Sequence, residues 1–597
     1  MVEDWLLAPH ERDNPHTRVD AAHPDRAWTE GNAVRPWVHG RHYFAELHRR
    51  LTEMGPGDRC YFTDWRGDPD QRLTDDQGST LTEVLVAALG RGVDVRGLLW
   101  RSHWSRLGYS AERHRALGLA VEAAGGECLR DMRVRMRGSH HQKLVVLRHR
   151  DDPARDVAYV GGIDLCHSRR DDERHEGEDQ AEIRLATAYG TTPAWHDVQV
   201  EVRGPAVHDL ETTFRERWED SLPLTLHPGR RLSSWVQRED LEPDPLGEQW
   251  PAPPAPEPDP DSTEAAHPTQ VVQVLRTYPC LGRRGFDFAP QGERSVREGN
   301  LKALRNAERL VYVEDQFLWS AEVGDHFAHV LRARPELRMV FVLPLVPDEE
   351  DPWHRIPQLH GRSLAMSRIL EAGGDRVAVF GLSNEAGLPV YVHAKTCIVD
   401  HRWASVGSDN LNRRSWTHDS EVACAVLDTR PDARSEPGDG DGPAPPDSFA
   451  RRLLRTLVAE HLDCAPEHVP EDPHALFDAM TRCADDLDAW FAGGGAPRPD
   501  DLSGVRGPTR PRDHDDRAEG LRDRLVAQVP HRAPVPGRAR ARRHADEDAA
   551  AVVERAVAAG ARPPGRLRRL APPRLTRAQR LWAAPVYDLV MDPDGRP

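Results

Sequence analysis

Two short stretches that lie far apart in the sequence share one pattern, and this repetition constrains the fold more than any other feature. The first stretch reads SHHQKLVVLR and contains His141 and Lys143, while the second reads YVHAKTCIVD and contains His393 and Lys395. In both, a histidine stands two residues before a lysine, and an apolar run follows. A chain with this repetition is expected to fold as two similar halves, each with one histidine–lysine pair.

The elements around the two pairs also follow one order. In the first half a capping box at Thr80 and Glu83 begins the helix LTEVLVAAL, which ends at Gly90, and the strand VRGLLW follows. In the second half the strands LVYVEDQF and RMVFVLPLV flank a helix around DHFAHVLRA. Strands that alternate with helices predict βαβ units, and therefore an α/β fold with buried strands.

Two proline-rich acidic stretches divide the chain into regions, because their composition cannot bury a core. The division is a first half over 30–242, a linker over 243–268, a second half over 269–428 and a C-terminal region over 429–597. This last region begins with the second linker and is expected to be partly irregular and partly helical. It contains an amphipathic helix that starts at Asp472-Pro473, a Pro-, Gly- and Arg-rich stretch over 493–543 and a helical piece over 546–559.

Composition limits the function class and the compartment. The formal net charge of −17 argues against a nucleic-acid-binding protein that works by neutralising phosphates. Eight scattered cysteines form no CxxC pair, so they suggest neither zinc nor a disulfide framework, and a reduced cytoplasmic protein is expected. No apolar run approaches the length of a transmembrane helix, so any contact with a membrane is expected to be peripheral. We expect a monomer.

The histidine–lysine pairs suit chemistry on a phosphodiester. Residues i and i+2 of a strand point to the same face, so each stretch is predicted to present an imidazole and an ammonium together. One imidazole can attack phosphorus, while a second can give a proton to the leaving alcohol and later take one from water. The lysines and Asn410 supply fixed donors for the phosphate oxygens. Two copies that face each other across a pseudo-twofold axis would provide these roles without a metal or another cofactor.

These motifs resemble those of the phospholipase D superfamily, whose signature is HxKxxxxD followed by a G-[GS]-x-[ND] turn, once per half. The stretch from His393 to Asp400 and the turn GSDN at 407–410 match the signature in full. HHQK, VGGIDLC, WHDVQVEVRGPAV and YVEDQF are similar to stretches of the subgroup that contains true phospholipases D. The resemblance covers about residues 30–430. It implies two α/β/α sandwich halves that form one active site.

The resemblance also implies roles for single residues. His141 would be the nucleophile and His393 the general acid and base, and the reverse order is left open. Lys143 and Lys395 would hold the phosphate together with Asn410. The residues expected to support the site are Asp164, Asp197, Glu314, Gln316, Asp400, Ser408, Asn410 and Glu421.

Within the supporting set, four residues have an alternative. Asp197 and Glu421 begin equivalent strands and are expected to back the two histidines, where a carboxylate fixes the tautomer and stabilises the imidazolium. The alternative for both is an exposed acid at a strand end. Glu314 and Gln316 are expected to support the pocket, and the alternative for them is a purely structural role. Asp164 occupies the place that matches Asn410 in the other half.

One residue departs from the signature, because Arg148 stands where the first motif calls for aspartate. Asp400, its counterpart, lies an odd number of residues after His393, so it is expected to face behind the site and to organise the fold. We therefore expect an altered hairpin at Arg148 and an intact catalytic pair, with His140 pointing away as a structural neighbour. Acids in the enlarged hairpin that would compensate for the missing aspartate are Asp151, Asp152 and Asp156.

The function that the resemblance implies is hydrolysis of phosphatidylcholine-like glycerophospholipids to phosphatidic acid and the head-group alcohol through a phosphohistidine. Transfer to another alcohol is the expected side activity. The first alternative is a phosphatidyltransferase similar to a cardiolipin synthase, and the second is a non-catalytic lipid- or phosphate-binding homologue. A nuclease of this family would want a more basic surface. The expected partner is phospholipid at a membrane surface, and no nucleic acid is expected.

Overall fold

A computed structural model describes most of the chain outside the second linker and the 493–562 stretch. The described residues are 2–21, 23, 25–102, 111–180, 185–225, 227–237, 241–257, 270–282, 285–428, 448–492 and 563–596. The irregular stretch predicted over 493–543 and the helix predicted over 546–559 lie outside them. The amphipathic helix predicted from Pro473 is present, and Leu476, Met480 and Leu487 are buried on its inner face.

The first half forms a mixed sheet whose strands are parallel on one side and antiparallel on the other. Across it the order is β4–β3–β2–β5–β6–β8–β1, with β2, β3 and β4 parallel. The strands are β1 Thr29–Val38, β2 Arg59–Asp64, β3 Asp94–Trp100, β4 Glu127–Asp131, β5 Leu144–Arg148, β6 Val157–Gly161, β7 Trp195–His196 and β8 Val198–Arg203.

The second half repeats this strand order. Its main sheet runs β13–β12–β11–β15–β16–β17–β9, with β11, β12 and β13 parallel. The strands are β9 Gln270–Tyr278, β10 Glu293–Arg294, β11 Leu310–Glu314, β12 Arg338–Val342, β13 Val377–Ser383, β14 Pro389–Val392, β15 Thr396–Val399, β16 Trp403–Gly407, β17 Glu421–Asp428 and β18 Leu567–Arg569. Pairing of β1 with β9 and of β7 with β14 joins the two halves.

Helices cover both faces of each sheet. They are α1 Val2–Trp5, α2 Gly40–Glu53, α3 Leu81–Gly90, α4 Ala111–Ala123, α5 Ala206–Trp218, α6 Pro228–Gln237, α7 Ser295–Arg305, α8 Ala321–Ala333, α9 Pro352–Gly373, α10 Arg413–Thr417, α11 Phe449–Leu462, α12 Pro473–Ala492 and α13 Arg577–Val586. As predicted, α3 begins at the capping box, in which the Thr80 hydroxyl oxygen accepts from Glu83 N–H. No helix in the described part of the chain is long and apolar enough to cross a membrane.

Strand alternation divides the interior into three layers of apolar side chains. Tyr61 and Tyr312 point into a central layer that both sheets share with α5, α11 and α12. Their neighbours Phe62 and Val313 point outward, to α2, α3 and α4 in the first half and to α7, α8 and α9 in the second. Because successive side chains of a strand face opposite ways, each sheet needs helices on both faces. The α/β fold predicted from the sequence is confirmed.

Candidate active site

The two histidine–lysine pairs lie where the halves meet. Residues 141–143 precede β5, and residues 393–395 lie between β14 and β15. The prediction that each pair lies within a strand is therefore wrong. The reason is that the backbone N–H of each histidine bonds to the opposite half and not to a neighbouring strand of its own sheet. His141 N–H donates to the Ser420 carbonyl at 2.9 Å, and His393 N–H donates to the His196 carbonyl at 2.8 Å.

Each histidine also has its side-chain partner in the opposite half. His141 Nδ1 lies 2.9 Å from Glu421 Oε2, and His393 Nδ1 lies 2.7 Å from Asp197 Oδ2. Both acids are fully buried, which excludes the alternative of exposed acids at strand ends. These contacts occupy Nδ1 of each ring and leave Nε2 as the nitrogen that can meet a substrate.

The strand register explains why an acid reaches each ring. Gly161 pairs with Gln199 and Gly407 pairs with Ala423, so an acid two residues before each partner lies beside the glycine turn. In the first half a Cβ on Gly162 would stand 2.0 Å from an Asp197 carboxylate oxygen, so only glycine fits there. In the second half the equivalent residue is Ser408, and its hydroxyl donates to Glu421 Oε2 at 2.5 Å.

The two lysines fold back on their own segments. Each Nζ donates to the carbonyl of the histidine two residues earlier, and the Lys143 bond is 3.1 Å long. Lys143 Nζ also forms an ion pair with Asp164 Oδ1 at 3.2 Å, whereas Lys395 Nζ donates to Gln316 Oε1 at 3.1 Å. The second ammonium is therefore held by a neutral amide, which leaves more of its positive charge available to an anion.

Burial controls the protonation of the site. It lowers the pKa of His141 and of His393 well below the usual value for histidine, and the charges of Lys143 and Lys395 lower both further. Burial, with the nearby Asp419 carboxylate, raises the pKa of Glu421 to about 8. These opposite shifts favour neutral imidazoles in the free protein. A bound phosphate anion would offset the lysine charges and allow one imidazole to take a proton.

Asp164 and Asn410 occupy equivalent turns but have different surroundings. Asp164 accepts from Arg169 Nη2 at 3.1 Å in addition to its ion pair with Lys143, and these cations hold its pKa well below the usual range in spite of burial. Asn410 is buried, and its Oδ1 has no hydrogen-bond partner among the residues that the structure describes. This free atom is an acceptor, so it suits a donor group of a ligand and not a phosphate oxygen.

Three side chains near the histidines were not predicted from the sequence. The Trp195 ring lies 5.0 Å from the His393 ring, and its Nε1 donates to Asp197 Oδ2 at 3.3 Å. The Arg169 guanidinium lies 3.8 Å over the Trp195 ring. On the other side the Trp65 ring lies 6.1 Å from the His141 ring. Trp195 begins the stretch WHDVQVEVRGPAV, whereas Arg169 and Trp65 carry no local pattern that points to a site.

Glu314 and Gln316 have different surroundings in the structure. Gln316 lies beside Lys395, whose Nζ donates to Gln316 Oε1, and its own amide donates to the Tyr391 hydroxyl at 2.8 Å. Glu314 is instead fully buried behind the site and contacts His196 Nε2 and His461 Nε2, each at 2.7 Å. Of the two roles left open for Glu314, these contacts favour the structural one. Strand alternation places residues 314 and 316 on one face only while the strand continues, and β11 ends at Glu314.

Asp400 and Arg148 both lie away from the histidines. Asp400 accepts from the backbone N–H groups that lead into β11, those of residues 308, 309 and 310, at 2.7–2.9 Å. Arg148 is the last residue of β5; its side chain is buried, and its Nε donates to Asp156 Oδ2 at 2.6 Å. His140 is fully buried, and its Nε2 lies 2.6 Å from Thr63 Oγ1. All three residues act on the fold behind the site.

Comparison with known proteins finds two family models on this chain. "Phospholipase D" matches residues 72–232, and "Cardiolipin synthase, PLD-like domain" matches residues 351–434. The first match contains His141 and Asp197, and the second contains His393 and Glu421. Both acid–imidazole contacts are therefore formed between one matched segment and the other.

Curated relatives are similar over about half of the chain. Phospholipase D gamma 2 of Arabidopsis thaliana is 24% identical over 383 residues, which is 48% of this chain and 44% of the relative. Phospholipase D1 of Schizosaccharomyces pombe is 26% identical over 405 residues, 54% of this chain and 27% of the relative. The chain thus spans about half, or less, of the length of these relatives.

Among solved structures, the phosphatidylserine synthase of Haemophilus influenzae matches with a TM-score of 0.45 at 12% identity, over 76% of this chain and 93% of that protein. The family models place both histidine–lysine segments in one superfamily, and the curated relatives agree with them. These findings support the phospholipase D superfamily for this chain.

Proposed function

We propose that the protein is a phospholipase D-type phosphodiesterase that removes the head-group of glycerophospholipids. The observation that carries this proposal is the crossed arrangement of the site. Each imidazole has Nδ1 on a buried acid of the opposite half, while two lysine ammonium groups lie within electrostatic reach of both rings. Two imidazoles and two fixed cations are what a two-step displacement at phosphorus requires.

The proposed reaction assigns one proton and one bond to each imidazole. His141 Nε2 attacks phosphorus, and the P–O bond to the head-group breaks as the leaving oxygen takes a proton from His393 Nε2. Water then gives a proton to His393 and attacks the phosphohistidine, which releases phosphatidic acid and restores His141. Lys143 and Lys395 hold the phosphate oxygens in both steps. The exchanged assignment of the two histidines uses the same geometry.

A second candidate follows from the match of residues 351–434 to the cardiolipin synthase model. A phosphohistidine can react with an alcohol in place of water, and the product is then a new phosphatidyl ester. The non-catalytic alternative is disfavoured, because both imidazoles keep an acid on Nδ1 and a lysine beside them. We also propose that the protein acts as a monomer bound peripherally to a membrane, without nucleic acid.

The direct test is a panel of phospholipid vesicles that differ only in head-group. We expect the purified protein to release free head-group and an equal amount of phosphatidic acid from at least one of them. With a primary alcohol added, part of the phosphatidic acid is expected to be replaced by the corresponding phosphatidyl ester. An exposed-residue variant, His329→Ala, serves as the matched control and should keep full activity. Binding of vesicles without any cleavage would reject the proposal in favour of the non-catalytic alternative.

The pH dependence of phosphate binding is expected to follow Lys395. Burial lowers the pKa of this lysine to about 8, so it is a cation below that pH and neutral above it. We expect the dissociation constant of dimethyl phosphate, whose charge is constant from pH 6 to 10, to rise about tenfold per pH unit above 8. Phosphorus NMR titration measures this without turnover.

Two variants separate Lys395 from Glu421, the other group with a pKa near 8. Lys395→Met is expected to bind dimethyl phosphate weakly at every pH, without the alkaline decline. Glu421→Gln removes the second titrating group and is expected to keep the decline. A flat profile in Glu421→Gln would assign the pH dependence to the glutamate and contradict the prediction.

A further inference from the structure

A second group of titratable side chains lies behind His393, and the proposed reaction does not use it. We call it the imidazole cluster, and it consists of His39, His175, His196 and Glu460. One ligand atom from each of the four residues lies within 4.8 Å of the others. The three imidazoles are at most 2% exposed, and the Glu460 side chain is 9% exposed. The four residues come from the end of β1, a loop, β7 and α11.

The donor atoms of the cluster converge on one carboxylate. His39 Nε2 lies 2.6 Å from Glu460 Oε2, while His175 Nε2 and His196 Nδ1 lie 2.9 Å and 3.3 Å from Oε1. In a tetrahedral zinc site, bonds of about 2.0–2.1 Å place neighbouring donors roughly 3.3 Å apart. These side chains would therefore need shifts of only about 1 Å to coordinate one ion.

Carboxylates behind the imidazoles give an independent indication of a metal site. Histidines that bind metals usually donate their other ring N–H to a carboxylate, which fixes the tautomer. His196 has this arrangement, with Nε2 at 2.7 Å from Glu314 Oε2. His175 Nδ1 faces Asp171 Oδ2 at 3.7 Å, which is beyond hydrogen-bond distance, so this carboxylate is a neighbour and not a hydrogen-bond partner. Glu314 is held in turn by the Tyr312 hydroxyl, which donates to its Oε1 at 2.6 Å.

The backbone beneath two of the imidazoles is strained. His39 has φ = 70° and His175 has φ = 55°, a region that residues with a Cβ seldom adopt. Such conformations persist where the surrounding structure imposes them, and they concentrate at ligand and active sites. Here the strained residues are two of the three that direct a ring nitrogen at Glu460.

We propose that the imidazole cluster binds one divalent transition-metal ion of the zinc class. Three imidazoles and one carboxylate suit zinc and its neighbours, whereas calcium and magnesium require sites built mainly of oxygen ligands. The site is structural: all four positions are taken by protein donors. It joins α11 to the first half. It also fixes His196, whose carbonyl accepts from His393 N–H and whose next residue, Asp197, contacts the His393 ring.

The test measures metal in the protein as purified, without chelator, by mass spectrometry of the elements. We expect about one equivalent of zinc per chain, and a fall of at least tenfold in Glu460→Gln and in His39→Ala. The neighbouring variant His42→Ala, whose imidazole is half exposed and lies outside the cluster, should keep the full equivalent. Replacement by cobalt(II) should give the visible absorption of a tetrahedral site in the parent and in His42→Ala only.

A cluster held by hydrogen bonds alone would give the opposite results. The parent would contain less than 0.1 equivalent of any transition metal and would bind added zinc or cobalt no better than His39→Ala. Because a variant of the cluster can fail to fold, the parent is also stripped with a chelator and reloaded. A melting temperature that falls on stripping and returns with zinc supports the site, and an unchanged one overturns it. Metal content is independent of head-group release, so failure of this proposal is distinct from failure of the proposed reaction.

Discussion

Alanine in place of His141 or His393 is expected to reduce head-group release by at least about 10³-fold, the range typical for loss of a nucleophile or of a general acid–base group. The reason is that the site holds one imidazole for each task and the described neighbours offer no replacement. Each ring has Nδ1 on a buried acid and only Nε2 for the substrate. Loss of either ring therefore stops the reaction at a different step. The effect is measured as the initial rate of head-group release from the vesicles that the parent protein cleaves fastest.

The two histidine variants also assign the order of the steps. With a p-nitrophenyl phosphatidyl ester, the leaving group needs no proton, so a variant that keeps the nucleophile can still form the phosphohistidine. If His141 is the nucleophile, His393→Ala should gain the mass of one phosphatidyl group and His141→Ala should not. The opposite pattern would exchange the roles. More than a tenth of the parent activity in either variant would contradict the mechanism, and His329→Ala controls for handling.

The repeated pairs were readable from the sequence because the residues that do the chemistry are close together in each copy. His-x-Lys and the glycine turn are local patterns, and the acids Asp197 and Glu421 stand at equivalent places in the two copies. Which acid serves which histidine is not local. It depends on how the two halves pack against each other. In the structure each acid contacts the histidine of the opposite half.

The imidazole cluster shows the limit of such reasoning. Its members are spread from residue 39 to residue 460, and no spacing joins them. The absence of CxxC pairs argues against a zinc site built from cysteines, but it says nothing about a site built from histidines and a glutamate. Glu460 also lies in the C-terminal region, in which no site residue was predicted from the sequence. Only the packing of α11 against the first half brings these side chains together.

Arg148, which replaces the signature aspartate, is expected to stabilise the first half strongly. Its side chain is 1% exposed, and it donates to three acceptors from Asp156, Glu211 and the Pro251 carbonyl. Arg148→Met would leave two buried carboxylates without this cation, which typically costs about 3–5 kcal/mol. We expect the first urea transition to move to lower concentration by a corresponding amount. Arg148→Asp, which restores the family signature, should destabilise even more, because it adds a third carboxylate.

The matched control is Arg155→Met in the same hairpin. Arg155 pairs with Glu53 at 3.2 Å, but both side chains are about 40% exposed, so a change of less than about 1 kcal/mol is expected. Below the transition, Arg148→Met should release head-group at a rate close to that of the parent, since Arg148 has no contact with either histidine. A loss of activity without a loss of stability would place Arg148 in the site and contradict this account.

A double-mutant cycle then separates the ion pair from simple packing. Glu211→Gln alone should destabilise, because it weakens the contact with Arg148. In the Arg148→Met background it should restore at least about 1 kcal/mol, because the buried carboxylate then keeps only the more distant Arg59 and Arg215, at 3.9 Å and 3.7 Å. A change of sign between the two backgrounds is expected only if the charges compensate each other. Additive losses would mean that Arg148 acts by filling space. A change of sign would mean that polar contacts of the residue seven positions after the histidine stabilise the sheet in both halves. Asp400 makes these contacts with backbone N–H groups, and Arg148 makes them with buried acids.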